Sequence, residues 1–299
     1  MEFLILNSTE DEASMNMRDF FSKSYKLEKI DCRLEDHDVL EFKELKTNLA
    51  NHIYLGLTDS PLIFLNELKI SNEGFKPDLM IFASRHRSEA ARPAFLVHST
   101  GNWTENNEFG GDPKRLSKTS AILLKSGYIS LMEHFNQLKE SNFSVDIEVT
   151  HHGPTNLGIP LIFMELGSTK TEWVIKDAGE LVAKAILDTV ERYSRFKHKN
   201  NQQIGLGFGG THYGPNFSRI ISNKNIALSF ICPKYYILDL NKRFVEMMVD
   251  NTLEVVECFI IDWKGTNSEQ KKHLIPILEE FDIPIKKTKD FSSSVENRN

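Results

Sequence analysis

Histidine and glutamate residues at the ends of apolar runs are the residues of this sequence that could best carry out chemistry. The run Val145–Val149 is followed, after Thr150, by the pair His151 and His152 and a Gly-Pro break, and Glu165 lies near the end of the next run, Leu161–Leu166. Polar groups that follow buried strands can converge while a rigid sheet holds them, so this arrangement is typical of an active site. Three more histidines stand where strands end or loops begin: His86, His98 and His212.

Neutral imidazoles and carboxylates are zinc ligands, and a catalytic zinc site keeps one position open for water, whose pKa then falls to about 7. The segment Arg85–Glu89 contains a His-x-x-Glu spacing that could supply two ligands. An isolated loop histidine is more often a structural group, and Glu165 could instead cap a turn or pair with Lys170. We nevertheless predict that Glu165 acts as general base with His152 as a second catalytic residue. The predicted metal ligands are His86, Glu89, His98, His151 and His212.

A glycine-rich segment, Gly205-Leu-Gly-Phe-Gly-Gly210, satisfies the pattern G-x-G-x-x-G after a predicted strand. A dinucleotide site is disfavoured, because residues 211–215 predict no clear helix and no acidic residue follows a second strand about 20 residues further on. We expect the glycine backbone to approach a phosphate, a ribose or an oxyanion instead.

The elements that must position these residues alternate between short apolar runs and amphipathic stretches, which predicts an α/β fold with a mostly parallel central sheet flanked by helices. We expect one catalytic domain over residues 1–286 and a polar, frayed tail over residues 287–299. Strands are predicted at Phe3–Leu6, Ile53–Leu57, Leu79–Ala83, Phe95–Val97, Val145–Val149, Leu161–Leu166, Ile204–Phe208, Ile226–Ile231 and Val255–Ile261. Helices are predicted at Asp11–Ser22, Thr119–Lys139, Ala178–Phe196, Asn241–Val249 and Ser268–Glu280.

The composition is that of a globular protein, with 299 residues, 40% hydrophobic content and a net charge of −6. Three cysteines without CxxC spacing fit a reducing cytosol, and no window reaches the roughly 20 apolar residues of a membrane span. We therefore expect a cytoplasmic protein with no membrane partner. A basic cluster on the longest predicted helix could bind phosphates or only complement the helix C-terminus. Its members are Arg192, Arg195, Lys197 and Lys199.

Five motifs taken together resemble the archaeal and plant type of D-aminoacyl-tRNA deacylase, in the order of that family and over most of the chain. They are Ser84-Arg-His-Arg-Ser-Glu89, Val97-His-Ser-Thr-Gly-Asn-Trp103, Val149-Thr-His-His-Gly-Pro-Thr155, Met164-Glu-Leu-Gly-Ser-Thr169 and Gly209-Gly-Thr-His-Tyr-Gly-Pro215. The resemblance implies hydrolysis of the ester between a D-amino acid and the 3′ end of tRNA, a quality-control step of translation. It also implies two Zn²⁺ ions per subunit and a phosphorylase/hydrolase-like fold with features of peptidyl-tRNA hydrolase.

The resemblance makes D-aminoacyl-tRNA the expected partner of the protein. We expect no binding to DNA, and we expect the protein to be a monomer. The basic cluster on the helix would hold the acceptor stem, and Trp103 or Tyr213 could stack on the terminal adenine. The predicted substrate-binding residues are Gly207, Gly209, Gly210, Thr211, Asn102, Trp103 and Tyr213. Two alternatives stay open on the sequence: a zinc peptidase or amidohydrolase, and a non-catalytic nucleotide- or tRNA-binding protein.

Overall fold

The structure, a computed structural model, describes residues 1–43, 45, 51–72, 74–137, 142–199 and 201–291. Within them, a first sheet of eight strands has the order β2-β3-β4-β1-β5-β8-β6-β7. Its strands are β1 (Glu2–Ser8), β2 (Lys26–Leu34), β3 (His37–Lys43), β4 (His52–Thr58), β5 (Leu79–Arg87), β6 (Ala94–His98), β7 (Ser144–Ile147) and β8 (Leu161–Ser168). The central strands β4, β1, β5 and β8 are parallel.

A second sheet is parallel throughout and has the order β10-β9-β11-β12. It consists of β9 (Gln203–Phe208), β10 (Ile226–Cys232), β11 (Cys258–Ile261) and β12 (Ile285–Lys287). The helices are α1 (Glu12–Ser24), α2 (Ala121–Phe135), α3 (Lys170–Trp173), α4 (Lys176–Lys199), α5 (Pro215–Asn223), α6 (Lys242–Asp250) and α7 (Ser268–Leu278). None of the helices described is long and apolar enough to cross a lipid bilayer.

Alternation of side chains along β1 shows how the first sheet is covered. Phe3 and Ile5 join a core with residues of α1, α2 and α4, whereas Leu4 and Leu6 face a smaller core under the chain around residues 62–75. Successive side chains of a strand point to opposite faces, so the apolar run of β1 is buried on both. The larger core also contains Ile226 of β10, so both sheets share it. The prediction of a mostly parallel sheet flanked by helices is confirmed.

Some elements differ from the sequence prediction. Strands β2 and β3 form an antiparallel hairpin that was not predicted, and β6 runs antiparallel to β8. The expectation of no clear helix after the glycine-rich segment is wrong, because Gly214 adopts φ 35° and the helix α5 begins at Pro215. Proline suits that first helical position, where its missing N–H is not needed.

At the predicted tail, Lys287 is the last residue of β12 and Thr288–Phe291 form a 3₁₀ turn. Residues 292–299, like residues 138–139 of the helix predicted over Thr119–Lys139, lie outside the described residues. The single-domain boundary stays a prediction.

Candidate active site

The segment of residues 148–152 joins the two sheets and carries the histidine pair. The backbone N–H of Val149 donates to the carbonyl of His212 at 2.9 Å, and that of Thr150 donates to the carbonyl of Ile231 at 3.0 Å. These bonds hold the segment between the loop after β9 and the end of β10. The histidine pair, the loop after β9 and the end of β10 are therefore brought together by backbone contacts.

The first sheet supplies the other side of the site through β5, β8 and β6. In the parallel pair of β5 and β8, Ser84 is opposite Glu165 and His86 is opposite Gly167. A Cβ atom on Gly167 would lie 2.7 Å from Cβ of His86, so the imidazole can lie against this strand only because the residue is glycine. His98, the last residue of β6, is fully buried beside Glu165.

Seven side chains form three contiguous sets of potential metal ligands, and within each set the ligand atoms lie within 4.8 Å of one another. Glu148 belongs to two of the sets and so does His151, which is why the three sets make one cluster. The sets are His98, His151 and His152; Glu148, His151 and His212; and His86, Glu148 and Glu165. We call these seven residues the His–Glu cluster.

Backbone carbonyls orient three of the imidazoles. Nδ1 lies 3.1 Å from the Ser99 carbonyl in His98, 2.8 Å from the Val149 carbonyl in His151 and 2.6 Å from the Gly153 carbonyl in His152. When Nδ1 carries the proton and donates it to a carbonyl, Nε2 keeps a free lone pair, which is the tautomer that binds metals. The backbone of His152 is itself left-handed, with φ 40°, a strained conformation of the kind found at functional sites.

Several buried polar atoms of the cluster lack a hydrogen bond. Nε2 of His86, Nε2 of His98 and both carboxylate oxygens of Glu148 are buried without a properly aligned partner, although Nε2 of His212 lies 2.8 Å from Oε1 of Glu148. A buried polar group without a partner costs about 1–3 kcal/mol, and more if charged. A cation among these nitrogen and oxygen atoms would satisfy them, so the residues present fit a metal ion.

The protonation states agree with this reading. Burial, assisted by the charge of His98, lowers the pKa of His151 well below its usual value and that of His152 to about 4. Burial alone would raise the pKa of Glu148 and Glu165, but the surrounding imidazoles outweigh it and lower the first to about 2 and the second further. Burial also opposes protonation of His98, yet Glu165 raises its pKa. Glu165 raises the pKa of His86 in the same way. The cluster therefore holds ionised carboxylates beside His151 and His152 in the neutral form, and these are the forms that bind metals.

The structure does not bring Glu89 into the cluster, and this predicted ligand is corrected. Glu89 is exposed in the turn after β5. The His-x-x-Glu spacing supplies two ligands when both side chains are on one side of the chain, as on one face of a helix. Here β5 continues to Arg87, and residues three apart on an extended chain point to opposite sides. The carboxylate that sequence reasoning missed is Glu148, which follows β7 directly and lies three residues before His151. That position at a strand end is the signal that could have found it.

Two predicted substrate-binding residues after β6 are structural. Trp103 is 2% exposed, donates through Nε1 to the Thr150 carbonyl at 2.7 Å and stacks on Phe244 at 5.5 Å between ring centroids, so it cannot stack on an adenine. Asn102 donates to the carbonyls of Gly110 and Asp112 and thereby shapes the loop beside the cluster.

The glycine-rich segment is also used internally. The amide of Gly209 donates to the Cys232 carbonyl at 2.8 Å and the amide of Gly210 to the Gly265 carbonyl at 3.4 Å, so neither is free for a phosphate. Gly207 is buried in β9, where a Cβ atom would lie 3.1 Å from Phe217.

The next residues of this loop do reach the cluster. Tyr213 is half-buried beside His86, with 6.4 Å between ring centroids, and the guanidinium of Arg92 lies 4.7 Å from the tyrosine centroid. Thr211 is exposed in the same loop.

The basic cluster at the end of α4 lies away from the His–Glu cluster. Nζ of Lys197 lies 3.6 Å from Sδ of Met1, before the start of β1, whereas the His–Glu cluster lies toward the opposite ends of the parallel strands. Arg192 is paired with Glu133 and Asp188. Arg195 lies beside Asp188 and Glu191. The distance of the basic cluster from the His–Glu cluster and these ion pairs do not support the predicted contact with the acceptor stem, which was assigned to Arg192, Arg195, Lys197 and Lys199.

Comparison with known proteins gives one consistent family. Residues 73–286 match the family model described as D-aminoacyl-tRNA deacylase. The D-aminoacyl-tRNA deacylase of Methanocaldococcus jannaschii is 35% identical over 243 residues, which cover 78% of this chain and 91% of that protein. That of Methanococcus vannielii is 30% identical over 295 residues, covering 96% and 100%. A crystal structure titled as a conserved protein of unknown function superposes with a TM-score of 0.80 at 28% identity and covers 97% of this chain and 96% of its own.

Proposed function

This chain belongs to the D-aminoacyl-tRNA deacylase family, and we propose that the His–Glu cluster is its catalytic centre. The chain is an enzyme that hydrolyses D-aminoacyl-tRNA to a D-amino acid and tRNA. The observation that carries the assignment of the centre is the set of buried nitrogen and oxygen atoms on His86, His98 and Glu148 that have no properly aligned hydrogen-bond partner. Such atoms are costly in a folded protein unless something binds them.

We propose that zinc binds there. His98, His151 and His152 form a three-histidine set of the kind that holds catalytic zinc, and Glu148 with His212 offers ligands for a second ion. When bound, zinc polarises an ester carbonyl and lowers the pKa of water, which suits hydrolysis without a covalent intermediate. The identity and the number of the ions are part of this proposal.

Glu165 is proposed as the general base. It is 2% exposed, and its two oxygens lie 3.3 Å from Nδ1 of His86 and 3.7 Å from Nε2 of His98. Its low pKa depends on the protonation of these two imidazoles. This low pKa keeps the carboxylate ionised, which is the form that a general base needs. His86 is then a residue that positions Glu165.

Tyr213 is the remaining candidate for stacking on the terminal adenine. It lies at the side of the cluster where His212 has 38% of its side chain exposed, while Glu148 has 0%. The substrate therefore has to enter from the side of the loop after β9. An aromatic ring at that entrance can stack on an unpaired base, a contact worth about 1–3 kcal/mol. A cytoplasmic location and a monomeric state stay predictions.

The experiment that tests this function is incubation of the purified protein with D-tyrosyl-tRNA and L-tyrosyl-tRNA, with and without a chelator. We expect turnover of the D-ester, its loss on chelation and its recovery with zinc. Full activity of a preparation shown by elemental analysis to contain no metal would discard the metal proposal. Cleavage of N-acyl amino acids without turnover of D-tyrosyl-tRNA would favour the peptidase or amidohydrolase alternative.

A further inference from the structure

We propose that the acceptor stem of the tRNA docks on the carboxyl-terminal edge of the second sheet, an inference that rests on the deacylase function. The surface, which we call the lysine edge, is formed by Lys234, Lys264, Lys271 and Lys287 around Trp263. It is on a different part of the molecule from the basic cluster of α4.

The topology of the second sheet places three of these lysines in one row, and the fourth, Lys271, lies on α7. Because its four strands are parallel, their carboxyl ends lie at the same edge. His212 follows β9, Lys234 follows β10, Lys264 follows β11 and Lys287 ends β12. Neighbouring strands are about 4.8 Å apart, so Lys287 lies two strands, or about 10 Å, from β9. His212 of the His–Glu cluster therefore lies within this row, with Lys234 on one side and Lys264 and Lys287 on the other.

Direct contacts connect the row to the cluster. The hydroxyl of Tyr235 lies 3.4 Å from Nδ1 of His212, and the carbonyl of the preceding residue, Lys234, accepts a hydrogen bond from Nε2 of Gln270 at 2.6 Å. Gln270 lies on α7 next to Lys271. The lysine edge is thus continuous with the exposed side of the cluster, from which the substrate has to enter.

Trp263 holds two of the ammonium groups in place. Nζ of Lys271 lies 4.6 Å and Nζ of Lys287 4.0 Å from its ring centroid, and Lys271 also donates to the Trp263 carbonyl. An ammonium over an aromatic face is attracted by the ring but keeps its full charge. The indole therefore fixes two cations without neutralising them.

The charges of the lysine edge are available for an anion. In the part of the chain that the structure describes, no carboxylate lies within 4.0 Å of the four ammonium groups. Two carboxylates at this edge accept hydrogen bonds from other groups: Asp290 from the backbone N–H of Lys287, and the buried Asp262 from the backbone N–H of Gly265 and the side chain of Asn216. In α4, by contrast, Arg192 already contacts two carboxylates. Lysine and arginine side chains that bind phosphates release the counterions of the nucleic acid. For this they must not already be paired with carboxylates, and the lysines of the lysine edge meet that condition.

Another part of the rim does not suit a phosphate backbone. The carbonyl of Phe109 accepts a hydrogen bond from the amide of Gly153, so the loop of residues 104–112 borders the cluster. That loop carries Glu105, Glu108 and Asp112, and of these Glu105 is paired with Lys114 at 2.7 Å. An acceptor stem leaving the site therefore meets positive charge along the second sheet and negative charge along this loop, and electrostatics favours the first path.

The test compares two variants that remove the same charge. One is the double variant Lys264→Ala/Lys287→Ala, and its matched control is Lys197→Ala/Lys199→Ala at the end of α4. Binding of deacylated, full-length tRNA to the metal-loaded protein is measured at several salt concentrations, together with hydrolysis of D-tyrosyl-tRNA and of a D-tyrosyl ester of adenosine, which has no stem.

For the lysine-edge variant we expect tRNA affinity to fall on the order of tenfold near 0.1 M salt. The negative slope of log affinity against log salt concentration should become shallower by about two. The adenosine ester should be hydrolysed as by the wild type, which shows that the fold and the centre are intact. The control should bind tRNA normally.

An unchanged affinity and salt slope in the lysine-edge variant, or an equal loss in the control, overturns the proposal. Loss of activity on the adenosine ester would assign these lysines to the structure of the centre and also overturns it. If the wild type hydrolyses neither D-ester, the deacylase function itself has failed, which is a separate outcome.

Discussion

Replacement of Glu165 by glutamine is the most direct test of the chemistry proposed for the His–Glu cluster. The carboxylate is 2% exposed and its oxygens lie 3.3 Å from His86 and 3.7 Å from His98. Glutamine has nearly the same shape but cannot accept a proton from water. We therefore expect a folded protein that binds tRNA and metal but has lost turnover of D-aminoacyl-tRNA.

The expected magnitude follows from the role of the group. Loss of a general base costs about 10²–10⁴-fold in rate, which corresponds to about 2.7–5.4 kcal/mol of activation free energy. Loss of a surface carboxylate changes the free energy of unfolding by less than about 0.5 kcal/mol and does not touch the reaction. The matched control is Glu89→Gln, because Glu89 is an exposed carboxylate that follows the same strand as His86.

The assay is single-turnover hydrolysis of D-tyrosyl-tRNA by both variants, with circular dichroism for the fold, elemental analysis for the metal and equilibrium binding of deacylated tRNA. The reasoning is refuted if Glu165→Gln reacts at close to the wild-type rate, or if Glu89→Gln is impaired as much. Loss of metal together with activity in Glu165→Gln would make Glu165 a ligand rather than a base.

The remaining predictions concern three other buried positions. Glu148→Gln should lower the metal content as well as the rate, because the Glu148 carboxylate is a member of two of the three ligand sets. A full metal content of this variant in elemental analysis would contradict the prediction. Gly167→Ala forces a methyl group to 2.7 Å from His86, so denaturant unfolding should show a loss of about 1–3 kcal/mol, and wild-type stability would refute the packing argument. Burial lowers the pKa of Lys125 to about 8 from 10.5, so protonation is disfavoured in the folded state. The unfolding free energy of the wild type should therefore rise between pH 8 and 10.5 relative to Lys125→Met, by at most about 3 kcal/mol, and parallel pH profiles would refute the shift.

The helices and the buried strands could largely be predicted, because their signals are local. The apolar runs at β1, β5, β8 and β10 and the amphipathic pattern of α4 lie where the structure has these elements. The hairpin of β2 and β3 was missed because most residues of its strands are exposed or half-buried and charged residues alternate irregularly with apolar ones. Its pairing depends on the neighbouring β4, which no local window contains.

The candidate site was predicted in its histidines and less well in its other residues. Five histidines beside strand ends do converge, since strand ends hold side chains where a sheet brings them together. Glu89 was chosen from a tetrapeptide spacing that brings two ligands together when the chain turns between them, whereas β5 is extended to Arg87 and Glu148 carried no such motif. Trp103 looked available for a base because sequence does not show which side of a chain faces the core.

The sequence by itself determined which residue types are concentrated at strand ends, the α/β class and the family, because composition, periodicity and ordered motifs are properties of the chain alone. The tertiary structure decided which carboxylates meet the histidines, which aromatic ring is buried and which lysines line the edge beside the site. These depend on strand order and on contacts between residues far apart in the chain, such as Glu148 with His86 and Lys287 with Trp263. Local periodicity gives the direction of a side chain relative to its own element, whereas its neighbours are set only when the elements pack.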